Sequence, residues 1–597
     1  MELLNLDGVI EKGVFEIPSY QRGYAWQMKQ LEDFWNDLEH VSKLENKFHY
    51  MHSLTLRKSD DDFGDIDFEI IDGQQRLATS LILLGLLAKT TQNKDPKYSL
   101  INLEPILSYK YYGLNEAFRA ITEEEKDLER FQISFYAKNL IDAYAFFQEK
   151  IGDTPVGTLE KMFDALIKKM LFSVVELNDN RIDPFSSFET INNRGKDLST
   201  LELFKNRLHF VAHKICDEED LENLQNEIND TYTRIYHDLR QFEDAHLESF
   251  LKHFVAYYYD ENSKFKERLL NTAFDAHKKY DDLYDEYEKI NDLLLYLSYS
   301  SKVWYFLHTL DDEELRIEIT PKMRGLLDKM RRLNALSNNA FLPLLLSLLT
   351  IQLAVRSGSE RHYTTKELED LLEYLERFGF LIYGVAGKKN TIKNEWIELA
   401  FEAFRAFRYG EENIVIEKLP TLEKSFFNGQ GNSGLELLEE SIHSLKNTEK
   451  WYQWGKALNY LLYEYELCHN PETTLNFDSS LESIEHILPQ NPDQGYSAKE
   501  KNWAKNPNIV HALGNLLLIA KNANSSLSNK PFEEKRKAYL KGSYSEKEVA
   551  KNASFGVAQI KERSEKLLDF LIAHYRIAEL VNESAIKAFK KRFFKGH

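Results

Sequence analysis

Apolar residues recur at helical spacing along most of this 597-residue chain, and strand-like runs are concentrated near its two ends. The run Phe68–Ile71 has a strand pattern that stops at Asp72-Gly73, and the apolar run Leu77–Ala88 predicts a buried helix. Residues 90–180 have helical periodicity and return to a strand at Phe172–Leu177. The pattern therefore predicts a mainly α protein with α/β parts, an α+β fold.

Helix signals continue through the rest of the chain. Ser199 is followed three residues later by Glu202, a capping box that predicts a helix beginning after Ser199. The predicted domains are residues 1–210 (α/β, with a helical insert at about 90–170), residues 211–450 (helical) and residues 451–597. The apolar runs Leu77–Ala88 and Phe341–Val355 are shorter than the roughly 18–20 residues of a membrane span, so we expect no membrane segment.

The distribution of charge and the number of cysteines limit the functions and the compartment that the sequence allows. The formal net charge is −20, but residues 493–597 carry 20 Lys and Arg against 11 Asp and Glu, which is +9 and leaves −29 for the other 492 residues. Binding of a phosphate backbone needs local positive charge, and a solvated basic helix end explains the same count. The two cysteines, Cys216 and Cys468, are too few for a disulfide framework or a zinc cluster, so we expect a cytoplasmic protein.

One group of polar residues near the C-terminus has the chemistry of a one-metal nuclease. Such a site needs a general base, a hard cation and a group that positions the base. His486, at the end of a predicted strand, is the candidate base, and Glu485 and Asn524 offer oxygen ligands to Mg²⁺ or Mn²⁺. Asn515, placed on a second predicted strand, would orient His486 or brace the hairpin. Lys535 and Arg536 are candidate contacts to DNA phosphates.

Each of these residues has a structural interpretation as well. His486 alone is compatible with a histidine at a strand end, and Gly514-Asn515 with an ordinary turn. His511 is either a second group at the site or a structural histidine, and beside an apolar strand the structural role is favoured. The nuclease interpretation rests on the ordered set.

That ordered set resembles the HNH (ββα-metal) nucleases. The resemblance lies in Glu485-His486-Ile487-Leu488-Pro489-Gln490, Trp503, Leu513-Gly514-Asn515-Leu516, and the segment from Asn524 to Lys535. It covers roughly 80–100 residues and implies a strand hairpin followed by a helix. The chain lacks the cysteine zinc knuckle of many such nucleases, and it has Asn rather than His at the third position, which suits a hard cation better than zinc.

Three polar boxes mark the N-terminal part. They are Ile17–Trp26, Ile70–Leu77 and Phe188–Asn206. In the second box a strand ends at Asp-Gly and a helix begins at Gln-Gln-Arg, which places backbone N–H groups, two amides and a guanidinium where a triphosphate would bind. The candidate nucleotide-binding residues are Gln21, Arg22, Asp72, Gly73, Gln74, Gln75, Arg76, Asn192, Arg194 and Lys205. A helix cap with surface arginines is the alternative.

Together the three boxes resemble the ParB/sulfiredoxin-like nucleotidase domain of GmrSD-type (type IV, modification-dependent) restriction endonucleases. The resemblance covers most of residues 1–210, with His52 where members usually have Gly and Ala78 where they have Thr. It implies an NTPase domain joined to a nuclease that acts on double-stranded DNA, especially modified phage DNA. The presence of both site types in one chain leads to the hypothesis that the NTP gates cleavage. A double-strand break from one nuclease site per chain would favour a homodimer.

Two other functions fit the same residues. The first is a sensor of other modified DNA, such as phosphorothioate DNA, or an abortive-infection effector with the same two activities. The second is an NTP-dependent DNA-binding sensor whose nuclease site is vestigial. The intact set of Glu485, His486, Asn515 and Asn524 argues against the second.

Overall fold

The chain forms two compact units, Met1–Phe306 and Leu307–His597. The computed structural model describes residues 2–59, 65–92, 104–110, 113–177, 198–240, 242, 244–275, 278–280, 282–313, 315–355, 363–388, 392–411, 415–428, 438–441, 450–473, 475, 481–492, 495–581 and 586–587. The division into domains at residues 210 and 450 stays a prediction.

The first unit contains one mixed six-stranded sheet with the strand order β1-β6-β3-β4-β2-β5. The strands are β1 Glu2–Asn5, β2 Phe15–Ile17, β3 His49–Lys58, β4 Phe68–Asp72, β5 Leu107–Tyr109 and β6 Met170–Glu176. β1 is antiparallel to β6, and β3 to β4, while the β6–β3, β4–β2 and β2–β5 pairs are parallel. Strand β6 lies where the sequence predicted a return to a strand.

Helices make up most of the rest of the described residues up to Thr309. They are α1 Leu6–Ile10, α2 Met28–Ser42, α3 Gln74–Thr90, α4 Leu114–Thr122, α5 Phe135–Gly152, α6 Val156–Lys169, α7 Thr200–Ile215, α8 Glu218–Asp238, α9 Asp244–Tyr259 and α10 Leu283–Thr309, with a short helix Phe265–Glu267 that continues as a π-helical turn, Arg268–Ala273. Helix α3 is buried over nearly its whole length, because no charged residue interrupts Leu77–Ala88. Helix α7 begins after the predicted Ser199–Glu202 capping box.

The second unit is helical around one two-stranded sheet. Its helices are α11 Pro321–Ser337, α12 Leu342–Ala354, α13 Thr365–Gly379, α14 Lys393–Tyr409, α15 Val415–Asn428, α16 Lys450–Gln453, α17 Lys456–His469, α18 Ala498–Ala504, α19 Pro507–Val510, α20 Lys521–Leu527, α21 Phe532–Tyr539, α22 Tyr544–Ala550 and α23 Val557–His574. Strands β7 Glu482–His486 and β8 Leu516–Ala520 pair antiparallel. The predicted α+β class is confirmed.

A compact apolar core supports the hairpin. Ile487, Leu517 and Ile519 pack with Tyr539 and Ile560 from the helices that follow the hairpin. The partly buried side chain of Trp503 packs against the same core. None of the helices in the described parts of the chain is long and apolar enough to span a membrane.

Candidate functional site

A strand hairpin followed by a short helix carries the C-terminal candidate residues. In the β7–β8 pair, His486 lies opposite Leu516 and Glu485 opposite Leu517. Helix α20, which contains Asn524, begins directly after β8 and packs on β7. This is the strand–strand–helix order that the sequence predicted.

His486 ends β7 and is 7% exposed. Its Nε2 lies 3.1 Å from Nδ1 of His511, and the Gln490 amide nitrogen lies 3.3 Å from its Nδ1. Burial, with His511 and Lys535 acting in the same direction, lowers the pKa of His486 to about 3. The imidazole is therefore neutral near pH 7, which is the form that a general base requires.

Two rings, those of Tyr452 and His511, lie against this base. Tyr452 from α16 lies 4.6 Å from the His486 ring and stacks on His511 at 5.2 Å with 12° between the planes. Sequence reasoning missed Tyr452, because nothing in its local pattern separates it from other aromatic residues. His511 had a weak signal, a second histidine on the segment that leads to β8. The sequence interpretation favoured a structural role for His511, but the structure places it against His486.

The sequence predicted that Asn515 lies on the second strand, but the structure places it just before that strand. It ends the 3₁₀ turn Leu513–Asn515, one residue before β8. Its fully buried side chain accepts from Leu488 N at 2.8 Å and donates to Leu488 O at 2.9 Å and Val510 O at 2.7 Å. Of the two predicted roles, these bonds support bracing of the hairpin.

Glu485 points into a buried ion pair. Its Oε1 accepts from Lys535 Nζ at 2.5 Å and from the Tyr539 hydroxyl at 3.0 Å. Burial raises the pKa of the Glu485 carboxyl and lowers the pKa of the Lys535 ammonium. Both contacts are made to one carboxylate oxygen, so Oε2 is the atom with which Glu485 would bind a cation.

Asn524 is anchored through its amide nitrogen. Nδ2 donates to Ser483 Oγ at 2.6 Å and lies 3.3 Å from Ile484 O. The amide oxygen is therefore left as the ligand atom, and amide and carboxylate oxygens are the ligands that a hard cation prefers. The described residues contain no cluster of three or more His, Cys, Asp or Glu side chains that would hold a metal. A cation held by Glu485 and Asn524 would thus keep several water ligands, as Mg²⁺ commonly does.

Of the two candidate DNA contacts, Lys535 is placed differently from the prediction, and the contact of the half-buried Arg536 with DNA stays a prediction. Lys535 is completely buried and also donates to His486 O at 2.9 Å, so its charge faces the interior rather than a phosphate backbone. Arg536 Nε donates to Ala550 O at 2.8 Å. A buried ammonium bonded to backbone carbonyls and a carboxylate stabilises the hairpin, and spacing in sequence does not reveal that role.

The N-terminal box at Asp72-Gly73 has the predicted backbone. Gly73 has φ +99° and an added Cβ would lie 2.9 Å from Ser53 O, so glycine is required where β4 turns into α3. Asp72 Oδ2 accepts from Ser53 Oγ at 3.0 Å and from Arg76 Nη2 at 3.2 Å. Arg76 Nη2 also donates to Ser53 O at 2.7 Å.

The glutamine side chains of these boxes bind protein backbone. Gln75 accepts from Ala25 N at 2.8 Å and donates to Gly23 O at 2.9 Å, and Gln74 donates to Arg22 O at 3.0 Å. Gln21 donates to Ile70 O. The amides thus hold the first box against the second, instead of lining a site as the sequence analysis expected. The Gln74 oxygen is buried with no hydrogen-bond partner among the described residues.

The third box contributes Lys205 to the same region. Lys205, on α7 and 2% exposed, donates to Ser19 O at 2.6 Å, and burial lowers its pKa to about 7. Arg22, within the first box, is buried. Asn192 and Arg194 lie outside the described residues. The structure therefore joins the first box to the second through the Gln21–Ile70 bond and the bond of Gln74 to the Arg22 backbone, and it joins Lys205 to the first box through Ser19.

Comparison with known families identifies the chain. The N-terminal domain model of GmrSD restriction endonucleases matches residues 3–209, and their C-terminal domain model matches residues 439–570. The chain belongs to the GmrSD restriction endonuclease family. A search of curated proteins found no match.

Membership of the GmrSD family makes the chain a restriction endonuclease of defence, and DNA is its substrate. The two matched ranges contain the two candidate sites. The boxes at Ile17–Trp26 and Ile70–Leu77, with Lys205, fall in the GmrSD N-terminal range, and the β7–β8 hairpin falls in the GmrSD C-terminal range. His52 stands where members of the family usually have Gly. Its φ is +63°, a left-handed conformation that glycine adopts without strain.

Proposed function

We propose that the chain is a nucleotide-regulated HNH endonuclease that cuts modified DNA with Mg²⁺ or Mn²⁺. The observation that carries this proposal is the buried His486 at the end of β7, beside the helix that bears Asn524. A phosphodiester hydrolase needs an unprotonated base next to oxygen ligands, and this hairpin provides both within a few residues.

Each residue of the proposed nuclease site has its own role in the reaction. His486 takes a proton from the attacking water. Asn515 fixes the segment after His486 through both backbone groups of Leu488. Glu485 and Asn524 would hold the divalent cation, which when bound would stabilise the negative charge on the leaving oxygen. Lys535 keeps the Glu485 carboxylate and the β7 backbone in place.

The N-terminal unit is proposed to bind and hydrolyse an NTP. The groups that support this are the backbone N–H groups at the start of α3, the guanidinium of Arg76 and the ammonium of Lys205. A lysine whose pKa is lowered by burial regains its charge most easily beside a phosphate, so an NTP would favour protonated Lys205. Nucleotide state would then gate cleavage by the second unit.

Cleavage assays with a matched pair of histidine variants test the nuclease proposal. Purified wild type, His486→Ala and His469→Ala are incubated with Mg²⁺ or Mn²⁺ on plain, hydroxymethylated, glucosylated and phosphorothioated DNA, with and without each NTP. His469, an exposed histidine that stacks on Tyr544 at 4.6 Å and bonds to Tyr465 O, controls for loss of a histidine that has no proposed role in the reaction.

We expect His486→Ala to lose at least about 10²-fold in cleavage rate, the usual contribution of a general base, and His469→Ala to retain activity. Equal cleavage by wild type and His486→Ala would rule out the proposed base. Equal rates with no NTP, NTP and NDP would rule out gating while leaving the nuclease in place.

A further inference from the structure

The hydrogen bond between two imidazoles assigns a role to His511, if the proposed nuclease function holds. We propose that His511 is a positioning residue: its Nδ1 accepts from Nε2–H of His486, so that Nδ1 of His486 is the atom that takes the proton from water. This specifies which ring nitrogen does the chemistry and which residue fixes it.

The 3.1 Å contact allows two arrangements, because one imidazole must donate and the other accept. If His511 donated, the hydrogen of neutral His486 would sit on Nδ1, and no lone pair would remain for water. If His486 donates, its Nδ1 keeps a lone pair. The Gln490 amide nitrogen lies 3.3 Å from Nδ1 and 3.4 Å from Nε2 of His486, so this contact does not distinguish the two arrangements.

One residue fixes the backbone on both sides of this bond. Asn515 binds Leu488, two residues after His486, and Val510, one residue before His511. The His511 amide additionally donates to Pro507 O at 3.0 Å. Tyr452 lies against both rings. The two histidines are therefore held as a pair by a shared brace and a shared aromatic cover.

The proton and bond changes balance as follows. A water proton moves to His486 Nδ1 as the water oxygen bonds to phosphorus, and the phosphorus–oxygen bond to the leaving group breaks. The bond from Nε2–H to His511 holds the His486 ring in place while the ring carries the added proton, which then passes to solvent. The leaving oxygen takes a proton from solvent. An acceptor at His511 thus fixes the tautomer and orientation of His486, as a carboxylate does for the histidine of a serine hydrolase.

Substitutions at residue 511 separate positioning from packing. His511→Leu removes the acceptor but keeps an apolar side chain, His511→Asn places an amide near the Nδ1 position, and His511→Asp supplies a group that at neutral pH only accepts. His469→Leu is the matched control, a second histidine stacked on a tyrosine in the same unit. Steady-state cleavage gives kcat and KM for each full-length variant, and thermal melting reports folding.

We expect His511→Leu to lower kcat about 10²-fold with KM for DNA unchanged, as for loss of a group that acts through the base. His511→Asn and His511→Asp should recover most of the loss, and His469→Leu should match wild type. His511→Leu within about threefold of wild type, or His511→Asp as slow as His511→Leu in a folded protein, would overturn the inference. Failure of wild type to cleave any DNA would instead overturn the proposed function.

Discussion

Buried ionisable side chains affect the stability of the second unit outside the hairpin as well as within it. Glu376 on α13 accepts from the Tyr460 hydroxyl at 2.6 Å and the Tyr575 hydroxyl at 3.3 Å. Burial first, and then the nearby Glu464, raise the pKa of the Glu376 carboxyl to about 7, although Lys329 acts in the opposite direction. A carboxyl in this state binds its proton more tightly in the folded protein than in the unfolded chain.

The sign of the resulting pH dependence follows from that difference. Between the ordinary pKa of 4.5 and the folded value of about 7, the folded state holds more protons, so this group's contribution to stability falls as pH rises through that window. Glu376→Gln keeps an acceptor for the tyrosines and removes the titration. We expect it to be more stable than wild type at pH 8, by up to about 3 kcal/mol, and closer to wild type at pH 5.

Melting temperatures at pH 5 and pH 8 measure this effect. A variant that melts below wild type by the same margin at both pH values would show that Glu376 acts through packing and hydrogen bonds rather than through its buried charge. Glu423→Gln is a suitable comparison, because Glu423 also accepts from a tyrosine, Tyr374, but is held by Arg377 at 2.8 Å.

At the scale of elements, the turn before β8 depends on one glycine. A Cβ on Gly514 would lie 2.0 Å from Ile560 O and 2.6 Å from Ser564 N, both in helix α23. The same turn is bonded to α23 by Ser564 Oγ, which accepts from Gly514 N at 2.8 Å, and by Arg563, which donates to Gly514 O at 2.9 Å. The helix therefore sets the position of Asn515, the next residue.

Gly514→Ala should accordingly move α23 off the turn and disturb the brace. We expect a destabilisation of about 1–3 kcal/mol or more, with loss of DNA cleavage, measured by melting and by the cleavage assay. Gly325→Ala is the control: it lies inside α11 with nothing within 4 Å of the added Cβ, so it should stabilise by roughly 0.5–1 kcal/mol. Equal, small effects of both substitutions would contradict the role assigned to Gly514.

Local patterns predicted elements well and side-chain partners poorly. The turn at Gly73, the start of α3, the Ser199 cap and the hairpin order were all readable, because each depends on neighbours in sequence. The Glu485–Lys535 ion pair could not be predicted from local patterns, because its members are 50 residues apart and meet only when the helices fold back on β7. Gln75, for the same reason, was predicted to bind a ligand and instead binds the backbone of Gly23 and Ala25.

At the scale of the whole molecule, the proposal joins two chemistries that single substitutions should separate. Asn524→Ala removes a proposed cation ligand and should abolish metal-dependent cleavage while NTP hydrolysis continues. Arg76→Ala removes a guanidinium beside the start of α3 and should abolish NTP hydrolysis. Metal-dependent basal cleavage should continue but no longer respond to NTP. Asn552 and Arg57 provide matched controls, since Asn552 donates to Val549 O and Arg57 pairs with Glu69 within the sheet.

Both activities are measured on each full-length variant, as phosphate release from NTP and as strand cleavage with Mg²⁺ or Mn²⁺. Gating predicts that adding NTP changes the cleavage rate of wild type, Asn552→Ala and Arg57→Ala but not of Arg76→Ala. If Asn524→Ala lost NTP hydrolysis together with cleavage while remaining folded, the two activities would not belong to separate sites. If Arg76→Ala kept the full NTP response, the nucleotide would have to bind somewhere other than the start of α3.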